Sequence, residues 1–139
     1  MNAPLYTTEI LRLAASLKEP HHLKREDGRS ELRSPTCGST IALSVQLDSE
    51  GRIEALSQRV HACAFGQASA ALLERGALGR GRSEVKDTRD RLAAWLEGSA
   101  DEPDWPGITA LAPARSRKSR HGAILLPFRA LLAATESAK

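Results

Sequence analysis

Apolar and polar residues alternate strictly between residues 40 and 47, and this pattern predicts a half-buried β-strand. The apolar side of the strand is formed by Ile41, Leu43, Val45 and Leu47. An Asp-Ser-Glu-Gly turn follows at residues 48–51, and residues 52–61 predict a second strand with weaker alternation. We therefore expect these two segments to pair as a β-hairpin.

Apolar residues at helical spacing predict four helices around this hairpin. One precedes it and three follow it, at residues 7–17, 67–75, 83–97 and 123–134. Thr7 or Thr8 can cap the first helix, which ends before Pro20. Pro127 lacks a backbone N–H, so the regular part of the last helix is expected to begin near Leu126.

The order of these elements predicts the α+β class, because the strands are segregated from the helices. We expect a small antiparallel β-sheet packed on one face by helices. Residues 21–33 are polar and highly charged and are predicted to form a mobile loop, while residues 100–113 predict a loop or a short interrupted helix. At 139 residues and without internal repeats, residues 1–139 are expected to form a single domain.

Composition limits the expected cellular location of the protein and the kinds of partner that it binds. No apolar run approaches the ~20 residues of a membrane helix, and the first residues show no secretory signal, so we expect a cytoplasmic protein. The net charge of +3 is lower than is usual for a nucleic-acid-binding protein. The basic run at residues 115–120 has no aromatic residues that could stack on bases, so it is predicted to be an exposed protein-docking surface. Trp95 and Trp105 are predicted to serve packing.

The two cysteines are the candidates for chemistry. Cys37 lies in a loop bounded by Pro35 and Gly38, and Cys63 lies where the second strand gives way to a helix, whose dipole favours a thiolate. If the predicted hairpin forms, both cysteines reach the same end of the sheet. His61 and His121 are the available imidazole partners, whereas His21 and His22 fit a solvated loop. The pattern alone leaves two interpretations open, a shared metal or sulfur site and a pair of structural cysteines.

The surroundings of both cysteines resemble those in iron–sulfur cluster assembly scaffolds of the NifU/IscU family. Pro35-Thr36-Cys37-Gly38, followed by the alternating strand and the acidic turn, is similar to the family's first ligand loop. Cys63 with the small residues of the helix after it is similar to the second cysteine, and the stretch from Arg120 to Leu131 resembles the surroundings of the third ligand. Residues 101–113 resemble the extra segment of the SufU branch, and the resemblance covers most of residues 5–132.

The chain departs from the family's ligand set at two positions. Family members bind iron or zinc through three cysteines and an aspartate, sometimes with a histidine. Ser39 stands where the aspartate follows the first cysteine, and Gly122 or Ala123 stands where the third cysteine is expected. The resemblance therefore implies an iron–sulfur cluster or zinc held weakly, with Cys37 and Cys63 as cluster ligands. The implied metal ligands are Cys37, Cys63 and His121.

The resemblance implies a scaffold or carrier rather than an enzyme. Such a protein accepts sulfur from a cysteine desulfurase, handles iron or zinc and meets other iron–sulfur assembly proteins. As in the SufU branch, Cys37 is the implied persulfide acceptor. Two alternatives stay open, a sulfur relay that holds no cluster and an interaction partner of the assembly machinery that does no chemistry. A small nucleic-acid-binding module is a further hypothesis, unrelated to the resemblance.

Overall fold

The computed structural model describes residues 6–35 and 38–138. Within these ranges, one antiparallel sheet runs in the order β1-β2-β3, with β1 at Gly28–Arg33, β2 at Thr40–Leu47 and β3 at Ile53–His61. The α-helices are α1 (Thr8–Ala15), α2 (Ala64–Gly76), α3 (Arg82–Leu96) and α4 (His121–Ser137). Two 3₁₀ segments, Ile108–Ser116 and Lys118–Arg120, precede α4. The predicted α+β class is confirmed. No helix in the described part of the chain is long and apolar enough to span a membrane.

The alternating pattern of β2 places one side of the sheet in the core. Ile41, Leu43 and Val45 are at most 2% exposed, and α4 packs against β1 and β2 on this side. The opposite side of the sheet carries short or polar side chains, and Thr40 and Ala42 of β2 are partly exposed there. On the same side, Ser57 of β3 is buried and accepts a hydrogen bond from the backbone N–H of His21. The sheet is therefore covered by helices on one face, as predicted.

The prediction of a loop over residues 21–33 is wrong for its last part, because Gly28–Arg33 forms strand β1. This strand pairs with β2 over its whole length and is tied to α4 by hydrogen bonds from serine hydroxyls to backbone carbonyl oxygens. Ser30 Oγ donates to the carbonyl oxygen of Ala130 at 2.7 Å, and Ser137 Oγ donates to the carbonyl oxygen of Arg29 at 3.1 Å. The strand is thus formed by partners distant in sequence, which its own polar composition does not reveal.

Helix α4 begins at His121, earlier than the predicted start near Leu126. Pro127 lies inside the helix and cannot donate to the carbonyl oxygen of Ala123, so one helical hydrogen bond is missing there. Packing against α2 accounts for the regular helix in spite of this loss. Ser69 Oγ of α2 donates to the carbonyl oxygen of Ile124 at 2.6 Å, within the first turns of α4.

Both tryptophans pack in the interior, as predicted. Trp105 is 3% exposed, and its indole N–H donates to the carbonyl oxygen of Leu72 at 2.8 Å. The guanidinium of Arg80 lies 4.4 Å from the Trp105 ring centre, and that of Arg115 lies 5.1 Å from the Trp95 ring centre. These contacts fasten the segment after α3, which the sequence left as a loop or a short interrupted helix, to the helical layer.

Asp27 stabilises the irregular end of β2, where the pairing with β3 shifts between Gln46 and Leu47. Its carboxylate accepts the Leu47 N–H at 2.7 Å and the Nε–H of Arg25 at 2.8 Å. The hydrogen bond from Arg25, followed by that from Leu47, holds the pKa of Asp27 below its ordinary value. Because the folded-state pKa is depressed, this stabilisation is present above the unfolded-state pKa and is lost as pH falls through the folded-state pKa.

We therefore expect Asp27→Asn to lower stability modestly at neutral pH, with a difference that closes as pH falls below 3.8, the ordinary pKa of an aspartate. Urea unfolding of both proteins across this pH range measures the effect. Asp101→Asn, on an exposed residue, is the matched control. A deficit of Asp27→Asn that is the same at every pH would contradict the assigned role of the carboxylate.

Candidate functional site

The ends of all three strands meet at one edge of the sheet. Arg33 pairs with Thr40, and Thr40 pairs with His61, so these three residues form one row across the sheet. The connection from β1 to β2 is closed by backbone hydrogen bonds, since Ser34 N donates to Ser39 O at 2.8 Å and Gly38 N donates to Ser34 O at 3.1 Å. Cys37 belongs to this connection in the chain but lies outside the described residues.

Cys63 caps the N-terminus of α2, directly after the end of β3. Its backbone is extended, with φ −66° and ψ 172°, and its carbonyl oxygen accepts the N–H of Gln67 at 3.0 Å. The side chain is half-buried and forms no capping hydrogen bond, so the thiol is free at the helix terminus. The strand-to-helix junction therefore places Cys63 at the same edge of the sheet as the β1–β2 connection.

The start of α4 packs against the first turn of α2. A Cβ atom added at Gly66 would lie 3.3 Å from both the Cβ and the carbonyl oxygen of Ala123. Glycine at position 66 thus permits a close approach of the two helices that a larger residue would obstruct. This contact was not predicted, although the small residues Gly66, Ala68, Ser69, Ala70 and Ala71 are a signal for close helix packing. Ala123, one of the two positions where a third cysteine is expected, packs against Gly66, which follows Cys63 by about one helical turn.

His121 is the first residue of α4 and is half-buried. Its Nε2 lies 2.9 Å from the carbonyl oxygen of Ala114. A carbonyl oxygen only accepts, so Nε2 carries the proton in this contact and Nδ1 is the nitrogen left for a further partner. An imidazole fixed in this way through one nitrogen is a common arrangement for a histidine that binds a metal through the other.

The chain is similar to proteins of one family in both sequence and structure. No model of a protein family matches it. Over 83 residues it is 30% identical to the "iron-sulfur cluster assembly scaffold protein IscU" of Streptococcus pyogenes serotype M1. The match covers 58% of this chain and 52% of that relative, so it spans about half of the relative's length.

The structure resembles the N-terminal part of a nitrogen-fixing NifU-like protein from Brucella abortus, with a TM-score of 0.85 and 26% identity over 96% of this chain and 94% of the other. In its structure and in part of its sequence, the chain is therefore similar to NifU/IscU-type proteins. A SufU scaffold protein of Fervidobacterium islandicum AW-1, described as putative, shares the fold at a TM-score of 0.83 and 19% identity, over 94% of this chain and 96% of the other.

The ligand set that the sequence predicts for this chain lacks two anionic donors of the NifU/IscU family. In residues 6–35 and 38–138, no group of three or more His, Cys, Asp or Glu side chains is placed to hold a metal ion. Cys63 and His121 are the described members of the ligand set that the sequence predicts, and their joint ligation with Cys37 stays a prediction. Ser39 is 6% exposed and Ala123 is 1% exposed. Neither the hydroxyl of Ser39 nor the methyl group of Ala123 is an anionic donor. Nothing in the described residues supports zinc in particular.

The other polar candidates take different places. His61 is exposed at the end of β3, while the backbone N–H of His21 donates to Ser57 Oγ at 2.9 Å. In the basic run, Arg115 donates from Nε to the carbonyl oxygen of Trp95 at 2.9 Å and is still exposed, as is Arg117. The docking surface of this run stays a prediction.

Proposed function

We propose that this chain is a carrier protein in iron–sulfur cluster assembly that accepts sulfur from a cysteine desulfurase. The observation that carries this proposal is the position of Cys63, free at the N-terminus of α2 and close to the start of α4. The name of the Streptococcus relative and the structural likeness to the Brucella NifU-like protein support the same function. Iron and the cluster are cargo in this proposal, and other assembly proteins receive this cargo from the chain.

Sulfur transfer requires a thiolate that attacks the outer sulfur of the desulfurase persulfide. We assign this attack to Cys37, because the connection that holds it is flanked by Pro35 and by Gly38, whose φ of +72° produces a sharp turn. A new S–S bond forms at Cys37 while the old S–S bond breaks, and the desulfurase cysteine leaves as a thiolate. The transfer needs no external oxidant, since one disulfide-type bond replaces another. Both cysteines must stay reduced between cycles, which suits the cytoplasm.

The loss of two anionic donors favours transient cargo over a stable cluster. Cys37, Cys63 and His121 would hold iron through two thiolates and one neutral nitrogen, which bind a divalent cation less strongly than three thiolates and a carboxylate. A sulfur relay that never holds a cluster is the second candidate, and the apolar burial of Ala123 favours it. Metal and acid-labile sulfide analysis of anaerobically purified protein separates the two candidates.

Incubation with a cysteine desulfurase and free cysteine is expected to place a persulfide on Cys37. Cys37→Ser should reduce the transfer to the level found without desulfurase, because the attacking thiolate is gone. Cys63→Ser should leave the transfer largely intact, because a half-buried residue at a helix terminus has less reach into a partner's active site. Mass spectrometry of peptides maps the modified thiol. Persulfide on Cys63 alone, or unchanged transfer in Cys37→Ser, would show that the acceptor is assigned to the wrong cysteine.

A further inference from the structure

The open face of the sheet carries three cationic or proton-donating side chains beside the edge where the strands end. Arg33 and His61 occupy the row that contains Thr40, and Arg59 occupies the next row opposite Ala42. All three side chains are exposed. Neighbouring strands lie about 4.8 Å apart and every second residue about 6.6 Å along a strand, so the Cα atoms of the most distant pair, Arg33 and Arg59, lie roughly 12 Å apart. We call Arg33, Arg59 and His61, which span these two neighbouring rows of the sheet, the cationic row.

The charge of the cationic row is not neutralised within the sheet. On the same face, Arg29 pairs with Glu31 at 2.7 Å, and Glu26 accepts a hydrogen bond from Ser44. Neither Arg33 nor Arg59 forms an ion pair with any residue in the described ranges. Two guanidinium groups with free donors therefore face solvent next to the edge of the sheet where Cys63 lies.

The surface between these side chains is a shallow trough. Thr40 and Ala42 form its floor, and their short side chains leave a cleft of about 360 Å³ between the longer residues Arg33, Arg59, His61 and Glu31. The carboxylate of Glu31 is paired with Arg29. At Ala42 and Arg59 this cleft meets a second one of about 440 Å³, which reaches Ser44 and Ser57 and is also lined by Glu26 and residues 20–23. The combined trough runs along the strands and suits an extended chain better than a single compact ion.

We propose that the cationic row binds an acidic segment, rich in Asp and Glu, of a partner protein. The planar guanidinium groups of Arg33 and Arg59 can each donate two parallel hydrogen bonds to a carboxylate. Nucleic acid fits less well, because single strands bind through aromatic side chains on which bases stack. The described aromatic residues pack elsewhere, as in the pairs Tyr6–Phe65 and Trp105–Phe128. A partner held here has its acidic segment against the edge of the sheet where Cys63 and the β1–β2 connection meet.

Fluorescence anisotropy with a labelled hexaglutamate peptide at low salt tests this surface. We expect the double variant Arg33→Ser and Arg59→Ser to weaken binding about tenfold or more, since rim charges act additively on a charged ligand. The double variant Arg12→Ser and Arg91→Ser removes the same charge from exposed helical positions and should change the affinity less than about twofold. The double variant Arg33→Lys and Arg59→Lys keeps the charge but not the planar guanidinium and should give an intermediate affinity.

Equal losses in both serine double variants would overturn the proposal, because net charge alone would then explain the binding. Tighter binding of oligothymidine than of hexaglutamate, with the same dependence on Arg33 and Arg59, would replace the acidic segment by nucleic acid and would also overturn it. Full competition by inorganic phosphate at the same charge concentration would assign the surface to a simple anion instead. Circular dichroism shows that each variant is folded. The peptide measurement uses no desulfurase, so its outcome is independent of the proposed sulfur transfer.

Discussion

Ala123→Cys is expected to raise the iron content of the anaerobically purified protein from a small fraction to about one ion per chain, as a site with three thiolates holds a metal tightly. Ala123 is 1% exposed and lies against the first turn of α2, where a Cβ at Gly66 would be 3.3 Å away. A thiol at this position would therefore lie against Gly66, which follows Cys63 by about one helical turn. The added thiolate restores the third cysteine, whose absence is the larger of the two losses in the ligand set.

Metal analysis and acid-labile sulfide measure this gain. Ala130→Cys is the matched control, because it adds the same thiol at a fully buried alanine of α4 away from the helix start. Gly122→Cys tests the alternative register, in which the third cysteine of the family falls one residue earlier. Ser39→Asp combined with Ala123→Cys should strengthen retention against a chelator. Iron content in Ala123→Cys and Gly122→Cys no higher than in Ala130→Cys would contradict the assigned ligand geometry.

Local patterns were sufficient to predict the hairpin but not the complete sheet. The residues of β2 themselves alternate and so indicate a half-buried strand, and the predicted bounds match Thr40–Leu47. Strand β1 has no such pattern, because it is held by the β2 backbone and by Ser137 and Ala130 of α4, about a hundred residues later in the chain. Non-local support of this kind cannot be detected within a short window of sequence.

The candidate site was predictable where it depends on hairpin geometry. The junction at Cys63 follows from the end of β3 and the start of a small-residue helix, both of which the sequence indicates. The approach of Ala123 to this junction was not predictable, because it depends on the missing side chain of Gly66 and on a helix that begins before Pro127. The cationic row could have been found from the polar positions of the hairpin, where Arg59 alternates with residues on the buried face.

Gly28→Ala is expected to destabilise the protein by about 3 kcal/mol or more, the upper range for overpacking a rigid contact. A Cβ at Gly28 would lie 1.9 Å from the carbonyl oxygen of Ala134 and 3.1 Å from the Cβ of Ala138. The first of these atoms belongs to the backbone of α4, so no side-chain rotation can relieve the overlap. Strand β1 and α4 must separate, which stretches the hydrogen bonds between Ser137 and Arg29.

Thermal and urea unfolding of Gly28→Ala against the parent chain measure this loss, and Gly81→Ser supplies the comparison. Gly81 has a φ of −90° and open space around its Cβ position, and it caps α3, where serine is a favoured residue. Gly81→Ser should therefore stay within about 0.5 kcal/mol of the parent chain or exceed its stability. A loss in Gly28→Ala below about 1 kcal/mol would mean that α4 can shift freely along β1. The tight contact at Gly28 would then not be what fixes the C-terminal part of α4 against β1.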